Sequence, residues 1–240
     1  MTRIAIIAAM PGELKPLVHG WHHEKPNGVD LWRWRYDEGE WVAACAGAGT
    51  EAATRAFAEV ENDGPISSVV STGWAGALTA EFAPGKAYDV SGVIHVRTGE
   101  RFRCATGPEE VWLATSSKVA DETEKRRLQS TYNAGLVDME AAAIARLAAM
   151  RGIPFHCIKG VSDSLTARLP DFNSFIGPNG QFHTARFVLF AILRPWHWPA
   201  LVRMGENSRK AAQNMAESLL DFLDERGHIR KRNGYPTLKR

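Results

Sequence analysis

Five consecutive residues, Ile4-Ala5-Ile6-Ile7-Ala8, carry no polar side chain, and that run restricts the fold more than any other feature of the chain. A strand that is apolar on both alternating faces must be covered on both sides, as in a helix-covered, mostly parallel sheet. Residues 3–9 therefore read as a buried strand ended by Pro11-Gly12. Residues 67–72 and 155–161 read the same way, and 87–96 as a further strand region. Residues 31–36 and 41–45 read as a hairpin pair turning through Asp37-Glu38-Gly39-Glu40.

Helical patterns lie between these strands. In residues 50–61 the alanines, Phe57 and Val60 share one face, while Glu51, Arg55 and Glu59 share another. Residues 138–151 form a clearer helix, with Ile144, Leu147 and Ala148 at helical spacing and a stop at Gly152-Ile153-Pro154. Segments 121–129, 186–193 and 204–223 are helical as well. The alternation predicts an α/β fold: a single-domain, three-layer sandwich with a mixed, largely parallel central sheet.

At 240 residues the chain can bury one large core. We expect a domain over residues 1–225 and a basic tail over 226–240, where Arg226, Arg230, Lys231, Arg232, Lys239 and Arg240 cluster. Such a tail reads as a solvated terminus. A net charge of +2 is too small to argue for a nucleic-acid partner. Cys45, Cys104 and Cys157 match neither a disulfide framework nor a zinc knuckle. The histidines, His22-His23 included, lack companion ligands at metal-site spacing, so neither metal nor cofactor is expected. No signal pattern opens the sequence, and no apolar run reaches the ~20 residues of a membrane span. The expected compartment is the cytoplasm.

In α/β folds ligands bind beyond the carboxyl ends of the strands. Four such ends carry small residues or an acid: Met10-Pro11-Gly12-Glu13, Gly47-Ala48-Gly49, Gly73-Trp74-Ala75-Gly76 and Ser162-Asp163. Small residues let backbone approach a ligand closely, and acids supply polar contacts. Each motif also has a plain structural reading. Gly47-Ala48-Gly49-Thr50-Glu51-Ala52 fits a dinucleotide fingerprint, but the next strand ends Val70-Ser71-Thr72-Gly73 without the required ribose-binding acid. It reads equally as a strand–helix turn whose helix N-terminus lies near a polar ligand group. Asp138-Met139-Glu140 opens a helix and by itself is a cap with a dipole-complementing acid. Ser162-Asp163 alone is an N-cap, and Glu13 alone is a turn acid. Their joint placement at element ends is what suggests one cleft.

Three segments resemble the nucleoside phosphorylase and nucleosidase family, which includes methylthioadenosine/S-adenosylhomocysteine nucleosidases. They are Ile6-Ile7-Ala8-Ala9-Met10-Pro11-Gly12-Glu13, Gly73-Trp74-Ala75-Gly76-Ala77-Leu78, and Val137-Asp138-Met139-Glu140-Ala141 continued by Pro154-Phe155 and Val161-Ser162-Asp163. The resemblance spans residues 3–163 and implies a nucleoside phosphorylase-like fold. Thr98-Gly99-Glu100-Arg101-Phe102 and Arg194-Pro195-Trp196 resemble a hopanoid-associated subgroup.

The resemblance implies cleavage of the bond between a purine, adenine in the first instance, and its ribose. The transition state is oxocarbenium-like, so the base leaves more easily once a ring nitrogen is protonated. Asp163 is the implied acid at N7, and Glu13 the base that orients water. Glu140 would accept the ribose hydroxyls and Met139 would pack on the sugar. Ser162, Ala75, Gly76, Gly49 and Lys159 complete the expected binding set. Lys159 stands where the nucleosidases have an arginine and lacks its bidentate fork. Trp74 replaces a small serine and would line the sugar pocket, stack on a ligand or pack inside. Thr115-Ser116-Ser117-Lys118 departs from the family's S-G-D pattern. Glu13 in the first turn would repel phosphate, favouring hydrolysis over phosphorolysis.

Residues 186–204 combine aliphatics with Trp196 and Trp198 and with Arg186, Arg194 and Arg203. They read as a core helix, a dimer contact or a membrane-surface element suited to a nucleoside with an apolar 5′-substituent such as adenosylhopane. The leading expectation is a purine nucleosidase, paired as a homodimer. Its alternatives are a phosphate-dependent phosphorylase, a binding protein of the same fold whose sugar site Trp74 occludes, and a dinucleotide oxidoreductase, which the missing ribose acid disfavours.

Overall fold

A computed structural model describes residues 2–37, 39–107, 110–167, 169–177 and 180–227. Strand β1 (Thr2–Ala8) lies at the centre of the first half of the sheet. It pairs in parallel with β4 (Gly39–Cys45) on one side and β5 (Ser68–Ser71) on the other. The alternation of β1 explains why no polar residue follows Arg3 in it. Ala5 and Ile7 join one buried cluster with Phe57, Val60, Ile144 and Ala148. Ile4, Ile6 and Ala8 join another with Leu14, Leu17, Trp21, Leu219 and Leu223. Helices α2 (Thr50–Asn62) and α4 (Ala141–Arg151) thus cover one face, while α1 (Pro11–Leu14) and α6 (Trp198–Gly227) cover the other. The three-layer expectation holds.

The remaining described strands are β2 (His22–Glu24), β3 (Asp30–Tyr36), β6 (Trp74–Ala77), β7 (Ala87–Asp89), β8 (Gly92–His95), β9 (Arg101–Arg103), β10 (Trp112–Thr115), β11 (Leu136–Asp138) and β12 (Phe155–Asp163). They join in one 12-stranded sheet, ordered β2-β3-β4-β1-β5-β12-β6-β11-β10-β8-β9, with β7 on β12. Its centre is parallel; the β2–β3–β4 edge, β6–β11, β7–β12 and β8–β9 are antiparallel. The hairpin of β3 and β4 matches expectation.

Strand β12 bridges the two halves of the sheet. Its first residues pair with β5, its last with β6, and the register shifts between Val161 and Asp163. Such a bulge re-aims side chains and is frequent beside active sites. Ser162 and Asp163 therefore lie within the strand instead of capping a helix after it.

Two further differences concern element boundaries. Trp74–Ala77, expected as a loop, forms β6. Asp138 ends β11, and the helix expected from 138 starts at Ala141, with Glu140 at its N-cap. Helix α3 (Glu122–Tyr132) is capped by Asp121, whose carboxylate accepts Glu124 N–H at 2.8 Å. Helix α5 (Thr184–Ile192) and the start of α6 occupy the 186–204 segment. The expected basic tail falls outside the described residues from 228 onward. Among the described residues no helix is long and apolar enough to cross a membrane.

Candidate active site

The first strand delivers Glu13 into the interior. After β1 the chain turns through Met10 into the single turn of α1, with Pro11 at its first position. There Glu13 folds back under the turn. Its Oε2 accepts the N–H groups of Ala9 (2.8 Å) and Met10 (2.7 Å), and its Oε1 accepts that of Trp74 (2.8 Å). Three donors leave one of about four carboxylate acceptor directions open. Burial pushes the Glu13 carboxyl above the ordinary glutamate range, against the pull of those N–H donors and of Lys159. Gly73 makes the approach possible: its φ is +123°, and a Cβ there would lie 2.8 Å from Glu13 Oε1.

The acids at the β11–α4 junction divide two roles between them. Asp138 Oδ2 accepts Ala141 N–H at 2.9 Å, and Thr115 Oγ1 accepts Ala142 N–H at 3.0 Å while donating to Asp138 Oδ1 at 2.7 Å. These two residues satisfy the helix start, a cap built from a strand end and a neighbouring strand. Glu140 makes no capping bond and instead reaches across the cleft, where its Oε1 accepts Gly49 N–H at 2.6 Å. Burial, then the neighbouring Asp138, pushes the Glu140 carboxyl up to about 7.

Asp163 stands opposite. Ser162 Oγ donates to its Oδ1 at 2.6 Å and to Ala75 O at 3.3 Å. Its Oδ2 is ion-paired with Lys125 of α3, whose ammonium also donates to Ser164 O at 2.7 Å. Lys125 lies in the charged segment 121–129, expected to be helical, and no motif marks it as a site residue. The available signal was its position three residues before Leu128, the apolar residue that α3 buries.

Glu13, Trp74, Ala75, Gly76, Met139, Glu140 and Asp163 line one cavity of about 300 Å³, joined there by Asp138 and Lys125. Three expected residues do not reach its wall. Lys159 is buried beneath it, where its ammonium pairs with Asp138 Oδ2 at 2.9 Å and donates to Thr72 O at 3.0 Å. Burial opposes that charge, but Asp138, Cys157 and Glu140 outweigh it and hold the ammonium above the ordinary lysine range. Lys159 thus balances the buried acids instead of meeting a ligand. Ser162 braces Asp163, and Gly49 gives its N–H to Glu140. The helix N-terminus expected near a polar ligand group is therefore engaged by a carboxylate of the protein itself.

The far wall comes from Leu169, Phe172, Ile176 and Phe182, which no sequence motif marks, and from Met204 of α6. Phe172 and Phe182 belong to a group of rings with Phe175, Phe187 and Phe190 that ties this segment to α5. Trp74 is held by its indole N–H, which donates to Ser208 O on α6 at 3.0 Å. Trp74, Phe172 and Met204 also line a neighbouring cavity of about 920 Å³, whose wall includes Phe187 and Leu201. Trp74 is thus the partition between two spaces. Among the described residues no group of His, Cys, Asp and Glu could hold a metal ion.

The model of the phosphorylase superfamily matches residues 3–111 and 96–183. No curated protein matches the sequence. Among solved structures, a mutant of the Helicobacter pylori methylthioadenosine/S-adenosylhomocysteine nucleosidase, with 5′-methylthioadenosine in its active site, superposes with a TM-score of 0.72 at 16% identity. That match covers 94% of this chain and 99% of the other. Futalosine hydrolase of Helicobacter pylori gives 0.71 at 16% identity over 93% and 98% of the two chains. S-adenosylhomocysteine nucleosidase from Streptococcus pyogenes gives 0.71 at 19% identity over 93% and 97%.

Proposed function

The chain belongs to the phosphorylase superfamily, and from that premise we propose that it is a purine nucleosidase hydrolysing the N-glycosidic bond of an adenosine-type nucleoside. One observation carries the reading: the carboxylates of Glu13, Glu140 and Asp163, brought from three separate strand ends, line a single small cavity. Glu13 orients and deprotonates water. Burial shifts its pKa upward, the direction that strengthens a general base. Glu140 accepts the ribose hydroxyls, Met139 packs on the sugar, and Asp163 holds the purine edge.

Water is favoured over phosphate as the nucleophile. The first turn presents Glu13, and the Gly49 N–H is already given to Glu140. Both features oppose an anion at the sugar end.

An apolar 5′-substituent, of which adenosylhopane is an example, is supported by the larger cavity beyond Trp74 and its walls of Phe187, Leu201 and Met204. The same end of the molecule exposes Leu189, Ile192, Leu193, Trp196 and Trp198. Arg194 lies beside them. That surface suits a cytoplasmic enzyme resting on the inner membrane. It is also a candidate face for homodimer contact, and light scattering with and without anionic vesicles separates the two.

The test is adenine release, followed by chromatography, from adenosines with polar and apolar 5′-groups, in buffers with and without phosphate. The reading expects release without phosphate and a preference for apolar 5′-groups. A phosphate requirement overturns hydrolysis. Absence of release from every substrate points to a binding protein of the same fold.

A further inference from the structure

Helix α6 turns Leu201, Met204, Gly205, Ser208 and Ala212 to one face, at the spacings of three and four that a helix brings together. From Gly205 onward these side chains are small, and a groove of about 920 Å³ opens between them and Gly12 and Pro16 of the first turn. The acid-lined cavity of about 300 Å³ lies next to it. Three side chains border both spaces and so form the wall between them: Trp74, Phe172 and Met204.

Two of the three are fixed. Trp74 gives its backbone N–H to Glu13 and its indole N–H to Ser208 O, and its ring fits so closely over Gly12 that a Cβ there would lie 3.2 Å from it. Phe172 is 9% exposed and packs on the rings of Phe182 and Phe187, with centroids 6.5 and 5.5 Å away. Met204 has neither kind of tether. Its side chain is unbranched and turns about three bonds, which lets it fill or leave a gap at little cost. It also has somewhere to turn. Met204 borders a third cavity of about 640 Å³, with Leu169, Asp163 and Trp196 in its wall.

We propose that Met204 is a specificity-determining gate. Its thioether closes the acid-lined cavity around a nucleoside with a short 5′-group, and turns aside to admit a linear apolar 5′-chain into the groove between α1 and α6. The inference rests on the nucleosidase reading and adds the residue that sets how long the 5′-group can be. Each methylene moved from water into an apolar groove favours binding roughly fourfold. A chain that passes Met204 gains with every carbon, and one that stops short of it gains nothing.

Two measurements on the full chain test the gate, with 5′-methylthio- and 5′-octylthio-5′-deoxyadenosine as probes. The first is adenine release by the parent, Met204→Ala and Met204→Phe, read as the ratio of kcat/KM for the octyl compound to that for the methyl compound. A loss common to both substrates cancels in this ratio. Removing the side chain should raise the ratio about tenfold, and a bulkier, stiffer ring should lower it about tenfold. A ratio equal in all three proteins, or one that falls in Met204→Ala, overturns the proposal. The second is calorimetric binding of the same two compounds to chains that also carry Glu13→Gln, where the affinity ratio should move in the same two directions. Ratios that stay fixed in both measurements while adenine is released remove the gate and leave the nucleosidase reading standing. Affinity ratios that shift as expected in a protein that releases no adenine remove the nucleosidase reading and leave the gate.

Discussion

Glu140 and Gly49 stand 91 residues apart in sequence and 2.6 Å apart in space, joined by a hydrogen bond from the Gly49 N–H to Oε1. The contact links the start of α4 to the start of α2 and fixes a carboxylate in the wall of the cavity. Glu140→Gln keeps the shape and loses the charge. It should lower kcat/KM by about 10²-fold, the scale of losing two charge-assisted bonds to ribose hydroxyls. The parent's kcat/KM should climb as pH rises through about 7, where Glu140 becomes the acceptor. A profile that is flat between pH 5 and 8 would count against that role.

The same carboxyl makes stability depend on pH in a defined direction. Folded Glu140 titrates at about 7, above its ordinary 4.5. Between those values the folded state binds more protons than the unfolded one, so stability falls as pH rises across that window and levels off above it. Glu13, also raised by burial, acts in the same sense, while His95, lowered by burial, acts against them. The difference between parent and Glu140→Gln isolates the one group. The variant should gain on the parent between pH 5 and pH 8 in urea melts, and a parallel pair of curves would refute the assignment.

Gly73→Ala tests how Glu13 is held. The added methyl would fall 2.8 Å from Glu13 Oε1 at a φ of +123°. The substitution should displace the carboxylate and cost about 1–3 kcal/mol from backbone strain, with activity falling further than stability does. Thermal melting and base-release assays on the same preparation check both, and an active Gly73→Ala protein would mean Glu13 need not be fixed.

Lys159→Met should destabilise the fold by roughly 3–5 kcal/mol, because it leaves Asp138 buried without its ion-pair partner. A loss under about 1 kcal/mol in chemical denaturation would show that the Thr115 hydroxyl and the Ala141 N–H satisfy Asp138 alone.

Strand–helix alternation was legible because β1, β5 and β12 are buried on both faces and carry short apolar runs at their centres. The glycine-rich β6 carries too short a pattern to distinguish it from a loop. At the site, Glu13, Glu140 and Asp163 were visible through the family pattern. Each alone had an ordinary explanation as a cap or turn acid. The structure assigns the cap of α4 to Asp138 and Thr115, which releases Glu140 for the cavity. Lys159 and Lys125 exchange the parts their positions suggested. Lys159, beside the motif, lies buried under the cavity, and Lys125, on a polar helix, enters it. Long-range pairing decides such cases, and a single sequence does not display it.

Adenine release in phosphate-free buffer by the parent and by Glu13→Gln decides whether Glu13 activates water in this site. The parent is expected to release adenine, and the variant to do so at a rate about 10²- to 10⁴-fold lower, the usual worth of a general base. A parent that needs phosphate, or a Glu13→Gln protein that works at the parental rate, would contradict it.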